Sequence, residues 1–191
     1  YSFQIYCDFS GYSDMATGLA RYMGFDAGRN FDHPYLAQSV GDFWRRWHIS
    51  LSSWLRDYVY IPLGGSRVAL PRIYLNLVVT FLVSGIWHGA GWHFVIWGLL
   101  HGLCLCVERM LKPWAQKLKI VPAVRIAVTF CLVSFAWVFF RAGSAGEALA
   151  VLRKLGEIPR ELLQLKQDAR GICLLSSCGG FAGFAQRKGA G

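Results

Sequence analysis

The chain has 191 residues, of which 54% are hydrophobic and 15% aromatic, with a formal net charge of +9. That apolar content exceeds what a soluble domain of this size buries. The basic residues flank apolar runs and form no continuous solvated stripe, so a lipid bilayer, and no nucleic acid, is the expected partner. Six cysteines (Cys7, Cys104, Cys106, Cys131, Cys173 and Cys178) have no paired zinc-type spacing and read as small apolar fillers.

The first residues, YSFQIY, lack a starting Met and read as the inside of an apolar helix already under way, hence as part of a longer chain; no signal peptide is visible. Helical spacing in YCDFSGYSDMATGLARYMGF stacks Asp8 on Tyr12 and Ser10 on Asp14. Such a polar seam, with Ser13 beside it, faces protein or water rather than lipid, as a packed contact or as a substrate lining. The stretch DAGRNFDHPYL reads as a loop. Ser39 and Asp42 then signal the start of a helix through FWRRWHISLSSWLRDYVYIPLGG, with Phe43, Trp47, Trp54 and Tyr58 on one aromatic face. Arg45, Arg46, Arg56 and Asp57 occupy the other face, which suits an interfacial or re-entrant segment ended by Pro62, Gly64 and Gly65.

Two apolar runs follow, residues 73 to 87 and 92 to 107, separated by His88, Gly89, Ala90 and Gly91; they read as a membrane-embedded helical hairpin or a broken pair. A third run from Val121 to Phe140 reads as a spanning helix, provided that Lys119 and Arg125 snorkel to the headgroups. The charge rule places both hairpin ends in the cytoplasm, but Arg141, Arg153 and Lys154 beyond the third span are also basic, so it does not orient the whole chain. Ser144 and Glu147 form a capping box for a short helix through about Leu155. The glycine-rich end, GICLLSSCGGFAGFAQRKGAG, carries no assignable pattern. The fold class expected is all-α, a multi-pass helical membrane protein.

Among five histidines, His33 reads as a surface loop residue, His93 as interfacial or packing, and His101 as a packed or interhelically bonded side chain. His88 sits between Trp87 and Gly89 at the hairpin break, where an imidazole at membrane depth requires a partner or a watery cavity. A neutral imidazole there suits a general base, and equally a hydrogen-bonded structural role. His48, placed by helical spacing one turn from Trp44, Arg45 and Ser52, could handle protons beside arginines that hold an anionic ligand, or could anchor the segment among headgroups. No metal site is expected: H-E-x-x-H is absent, and His88 and His93 lack a carboxylate third ligand. Haem is disfavoured because thirteen residues leave His88 and His101 about 140° apart on a helix. No G-x-S-x-G elbow or phosphate loop is present, so a serine acyl-enzyme has no support.

The segments YCDFSGYSDMATGLARYMGF, NFDHPYLAQSVGDFWRRWHISLSSWLRDYVYIPLGGSR, NLVVTFLVSGIWHGAGWHFVIWGLLHG and SFAWVFFRAGSAGEALAVL resemble the membrane-bound O-acyltransferases, in particular their alginate O-acetyltransferase-like bacterial branch. The resemblance implies part of that family's catalytic core over residues 1 to 155, lacking its amino-terminal helices, and a divergent tail over 156 to 191. It implies an inner-membrane enzyme that transfers an acyl group, commonly acetyl, to a hydroxyl of an exported polysaccharide such as alginate. It puts the family's active-site histidine at His88, in W-H-G, and a second at His48, in R-W-H-x-S. The mechanism expected is direct transfer from acetyl-CoA or another thioester, with no bound cofactor. Arg45, Arg46, Trp44 and Trp87 are the candidates for binding substrate near the histidines; Asp8, Tyr12, Ser13 and Asp14 are the candidates for lining the cavity. The acceptor is either the polysaccharide itself or a periplasmic acyl-transferring partner. Two rival readings are a proton-coupled transporter and a non-catalytic subunit that docks a periplasmic acyltransferase.

Overall fold

The computed structural model describes residues 1–118 and 120–157, in which every regular element is helical. Two compact units divide the chain after Ala148, and all the elements that follow up to Arg141 belong to the first. They are α1 (Ser2–Tyr22), a 3₁₀ turn (Pro34–Leu36), α2 (Val40–Arg46), α3 (Ile49–Leu55) running into a π turn (Arg56–Tyr60), α4 (Leu70–His88), α5 (Trp92–Lys117) and α6 (Pro122–Arg141). The tail expected over 156 to 191 lies almost wholly outside the described residues, as do Cys173 and Cys178. The four described cysteines are free thiols.

Three helices, α4, α5 and α6, are long and apolar enough to cross a membrane, as the three apolar runs predict. Proline at the first turn of α4 and of α6 starts each helix without sacrificing a needed N–H. Several polar side chains inside the spans hydrogen-bond within the protein, the arrangement a bilayer favours. Asn76 Nδ2 donates to the Gly65 carbonyl at 3.2 Å, Thr80 Oγ1 to the Asn76 carbonyl at 2.7 Å, and Thr129 Oγ1 to the Arg125 carbonyl at 2.8 Å. Outward faces carry Leu75, Val83, Leu103, Val107, Val128 and Leu132, all exposed.

The hairpin of α4 and α5 packs backbone to backbone. A Cβ on Gly98 would overlap the Phe81 carbonyl oxygen, one on Gly85 would overlap the Phe94 carbonyl oxygen, and one on Gly102 would stand 3.0 Å from Val78 Cα. Small residues three or four apart are the means by which membrane helices approach closely where no hydrophobic force draws them together. Helix α1 lies against α6 through Ser2 Oγ and Ser134 Oγ, 3.0 Å apart, and through Phe3 and Phe130, with ring centroids 5.7 Å apart.

The helix over residues 145 to 157 starts as its capping box predicts: Ser144 Oγ accepts from the Glu147 N–H at 3.2 Å. The Glu147 carboxylate reaches one residue further back than in the standard box, accepting from the Gly143 N–H at 2.9 Å.

The single helix expected through residues 43 to 60 is not formed. It breaks at His48, whose φ of 45° and ψ of 55° lie in the left-handed region. The break also undoes the expected aromatic face: Phe43 and Trp47 are buried, whereas Trp54 and Tyr58 are exposed on the other side of it.

A Gly98→Ala substitution should destabilise the hairpin by about 1–3 kcal/mol, the usual cost of overpacking. Gly18→Ala on α1, where a Cβ would meet nothing within 4 Å, should instead stabilise by about 0.5–1 kcal/mol. Unfolding of the detergent-solubilised variants measures both; equal stability of Gly98→Ala and wild type would contradict the close approach.

Candidate active site

Breaking a helix at His48 leaves backbone groups that need partners, and the loop after α1 supplies them. The Arg46 carbonyl accepts from the Asp32 N–H at 2.9 Å, and the Ile49 N–H donates to the Asn30 carbonyl at 3.0 Å. The Asn30 side chain finishes the cap: its Oδ1 accepts from the Ser50 N–H at 3.2 Å and from Ser50 Oγ at 2.9 Å. His48 occupies the N-cap position of α3 without a capping hydrogen bond of its own, so Asn30 caps α3 from eighteen residues upstream.

The short helix α2 is fixed at its own start. Ser39 Oγ accepts from the Asp42 N–H at 3.1 Å, as its position before the aromatic run predicts, and Glu108 of α5 accepts from the Gly41 N–H at 3.0 Å. These bonds hold Trp44 against α5, where its Nε1 donates to His101 Nδ1 at 3.2 Å.

His48 and His88, forty residues apart in sequence, line one chamber of about 30 Å³ together with Ile5, Phe9, Trp44, Trp47, Trp97, Trp137 and Phe140. His88, the last residue of α4, meets Trp87, Trp97 and Phe140 edge to face, at centroid distances of 5.0, 5.1 and 5.1 Å. Phe9 stands edge-on to His48 at 4.7 Å. Burial, and secondarily the neighbouring His88, push the His48 imidazole down to about 4; it is therefore neutral near pH 7. The glycines around His88 make room for the protein itself: a Cβ on Gly89 would strike the Phe94 ring, which packs on Phe140.

The other residues singled out in the sequence separate into three groups. Trp44 lines the chamber, and Trp87, although mostly exposed, has its ring 6.4 Å from that of His48. The arginines are not among the chamber's lining residues. Both pair with Asp42, Arg45 Nη2 at 3.3 Å and Arg46 Nε at 3.1 Å, and Arg46 Nη1 also donates to the Asp32 carbonyl at 3.4 Å. Burial disfavours the Asp42 carboxylate, but the hydrogen bonds from Arg46 and the Gln38 N–H, with the charge of both arginines, hold its pKa below the ordinary value. Arg45 does line a separate groove of about 420 Å³, with Ser52, Arg56, Tyr60, Phe81 and Ser84, which shares Trp44 with the chamber.

On α1 the face that meets the chamber is Ile5 and Phe9, and Ser13 follows at the same spacing. Ser13 is buried and accepts from Asn30 Nδ2 at 3.0 Å. The expected seam of Asp8 and Tyr12 lies on the neighbouring stripe and is exposed. Asp14 lines a polar hollow of about 520 Å³ with Arg21, Asp26, Arg29 and Asn30.

His101 is fully buried and bonded to Trp44, the interhelical role expected of it. His93 packs on Phe94 at a centroid distance of 4.2 Å, and His33 is a surface residue beside Asp32. Sequence reasoning missed Asn30, since a lone asparagine in a turn-rich loop gives no signal of the two helices it will touch. It also missed Trp97, Trp137 and Phe140, which look like ordinary span residues until α5 and α6 close on α4.

The family model described as "MBOAT, membrane-bound O-acyltransferase family" matches residues 1–143 and so covers every residue of the chamber. The chain belongs to the membrane-bound O-acyltransferase family. Its spans are those of a multi-pass membrane protein of that family. A peptidoglycan O-acetyltransferase of Helicobacter pylori is 50% identical over 80% of this chain and 29% of the relative. A probable alginate O-acetylase of Azotobacter vinelandii is 54% identical over 74% of the chain and 28% of the relative. A teichoic acid D-alanyltransferase of Bacillus subtilis is 33% identical over 73% and 39%. The chain thus spans about three-tenths of the length of the first two relatives.

Because folding lowers the His48 pKa from 6.5 to about 4, the unfolded chain binds more protons between those values, and stability should fall as pH drops through that window. His48→Asn, which tolerates the left-handed backbone, should flatten the pH dependence of the unfolding temperature between pH 6.5 and 4. An unchanged slope in the variant would contradict a neutral, buried His48.

Proposed function

We propose that the protein carrying this chain is a bacterial inner-membrane O-acyltransferase. It moves an acyl group, acetyl in the first instance, from a thioester such as acetyl-CoA to a hydroxyl of an exported polysaccharide or cell-wall glycan, directly or through a periplasmic acyl-carrying partner. The observation that carries this reading is the meeting of His48 and His88 in one aromatic-walled chamber at the end of a spanning helix, inside the residues that match the family. The relatives' names join acetyl or alanyl transfer to peptidoglycan, alginate and teichoic acid, which supports acyl transfer to an exported glycan or glycan-like hydroxyl as the shared chemistry.

In this mechanism neutral His88 takes the proton of the acceptor hydroxyl while its oxygen attacks the thioester carbonyl. The carbon–sulfur bond then breaks, and the proton passes to the departing thiolate. His48 holds the acceptor from the other side of the chamber by accepting a hydrogen bond from one of its other polar groups, where a fixed polar group in water-poor surroundings is worth more than the same group in solution. The groove beyond Trp44, with Arg45 and Arg56 among its lining residues, is the place for the donor. Trp44 and Trp87 flank the reacting groups. Arg46 works at one remove, by fixing Asp32 and the helix break.

His88→Ala in the protein carrying this chain should insert normally and lower acylated product, read by mass spectrometry of the exported glycan, by about a hundredfold to ten-thousandfold. Wild-type acylation by a correctly inserted His88→Ala protein would overturn the assignment.

A further inference from the structure

Asn30 touches His48 as well as the start of α3, and the pattern of donors around it decides where the imidazole proton sits. Its Oδ1 lies 3.2 Å from the Ser50 backbone N–H, a group that only donates. That contact identifies the oxygen and leaves Nδ2 to donate to Ser13 Oγ at 3.0 Å. The same oxygen lies 3.3 Å from His48 Nδ1. An acceptor facing Nδ1 requires that nitrogen to carry the proton. Ser50 Oγ, 3.3 Å from Nδ1, spends its own hydrogen on Asn30 Oδ1 at 2.9 Å and is left to accept as well.

We infer that Asn30 is a positioning residue that locks His48 as the Nδ1–H tautomer, leaving Nε2 with its lone pair free on the opposite edge of the ring. The link runs from Ser13 on α1 through Asn30 to His48, so one asparagine couples the first helix, the cap of α3 and the proton state of the second chamber histidine. Backbone geometry reinforces the lock, because the left-handed conformation of His48 restricts the ring positions that let Nδ1 face the loop. Only the consequence for turnover rests on the acyltransferase reading; the tautomer itself does not.

The test uses the full-length protein labelled with ¹⁵N-histidine in lipid, with the His48 signals identified by their loss in His48→Asn. In wild type, nitrogen–proton correlation should place the proton on Nδ1 of His48. In Asn30→Leu the signal should move to the Nε2–H form or to a mixture, and kcat should fall at least about tenfold with donor KM unchanged, as wrong-tautomer enzymes do. Asn30→Asp, which keeps the acceptor for Nδ1, the Ser50 N–H and Ser50 Oγ, should restore both the Nδ1–H signal and most of the turnover. Asn30 acting only as a cap would lower the yield of folded Asn30→Leu protein while leaving the tautomer of the folded fraction unchanged, which would overturn the inference. A wild-type Nε2–H signal would overturn it directly and leave acyl transfer by His88 untouched. Loss of acylation with the tautomer as stated in every variant would instead count against the role of His48 in turnover.

Discussion

The geometry of the chamber depends on one residue held against its local preference. A non-glycine residue in the left-handed region costs about 1–2 kcal/mol, and the sequence around His48 would otherwise run on as a helix. Three hydrogen bonds from the 30–32 loop, each worth about 1 kcal/mol net, take up the groups that the break exposes. The balance favours the break by a small margin, and only while the loop stays docked. With a straight helix, Trp47 and His48 would leave the positions from which they wall the chamber with Trp97 and Trp137.

The second requirement is closeness between α4 and α5. His88 stands at the end of α4, and Phe94, Trp97 and His101 stand on α5; these rings meet His88 and Trp44 because Gly85, Gly98 and Gly102 let the two backbones touch. Aromatic rings then enclose the imidazoles edge to face, an arrangement that places the positive rim of one ring against the negative face of the next. Polarity enters the spans through few groups, among them Asn76, Thr80 and Thr129, whose donors are spent on carbonyls of the protein.

Long, almost uncharged apolar runs determine spanning helices almost regardless of context, and for that reason α4, α5 and α6 were legible in the sequence, with the glycine-flanked turn between the first two. Capping chemistry is local, and Ser39 and Ser144 were legible for the same reason. The site was legible in part. The singular position of His88, at a membrane helix end, marked it; His48 was marked by its arginine and tryptophan neighbours. Periodicity misled where tertiary bonds outweigh propensity: it drew one helix through His48 and so assigned Trp54 and Tyr58 to the face of Phe43 and Trp47. On α1 it selected the stripe of Asp8 and Tyr12 because those residues are polar, whereas the chamber meets the apolar stripe of Ile5 and Phe9, and Ser13 on that stripe bonds Asn30. Asn30 acts across eighteen residues through a bond pattern that exists only after folding, and no local rule anticipates it.

The chamber shared by the histidines has a volume of about 30 Å³, room enough for a water-sized group. A space of that size takes in a small group such as water or a hydroxyl and leaves bulkier parts of a molecule outside. Under the proposed mechanism, water and an acceptor hydroxyl compete for that space, and a seated acceptor suppresses hydrolysis of the donor. On the same mechanism, selection among acceptors falls to whatever holds the rest of the acceptor outside the chamber, because so small a space distinguishes little beyond the reacting group.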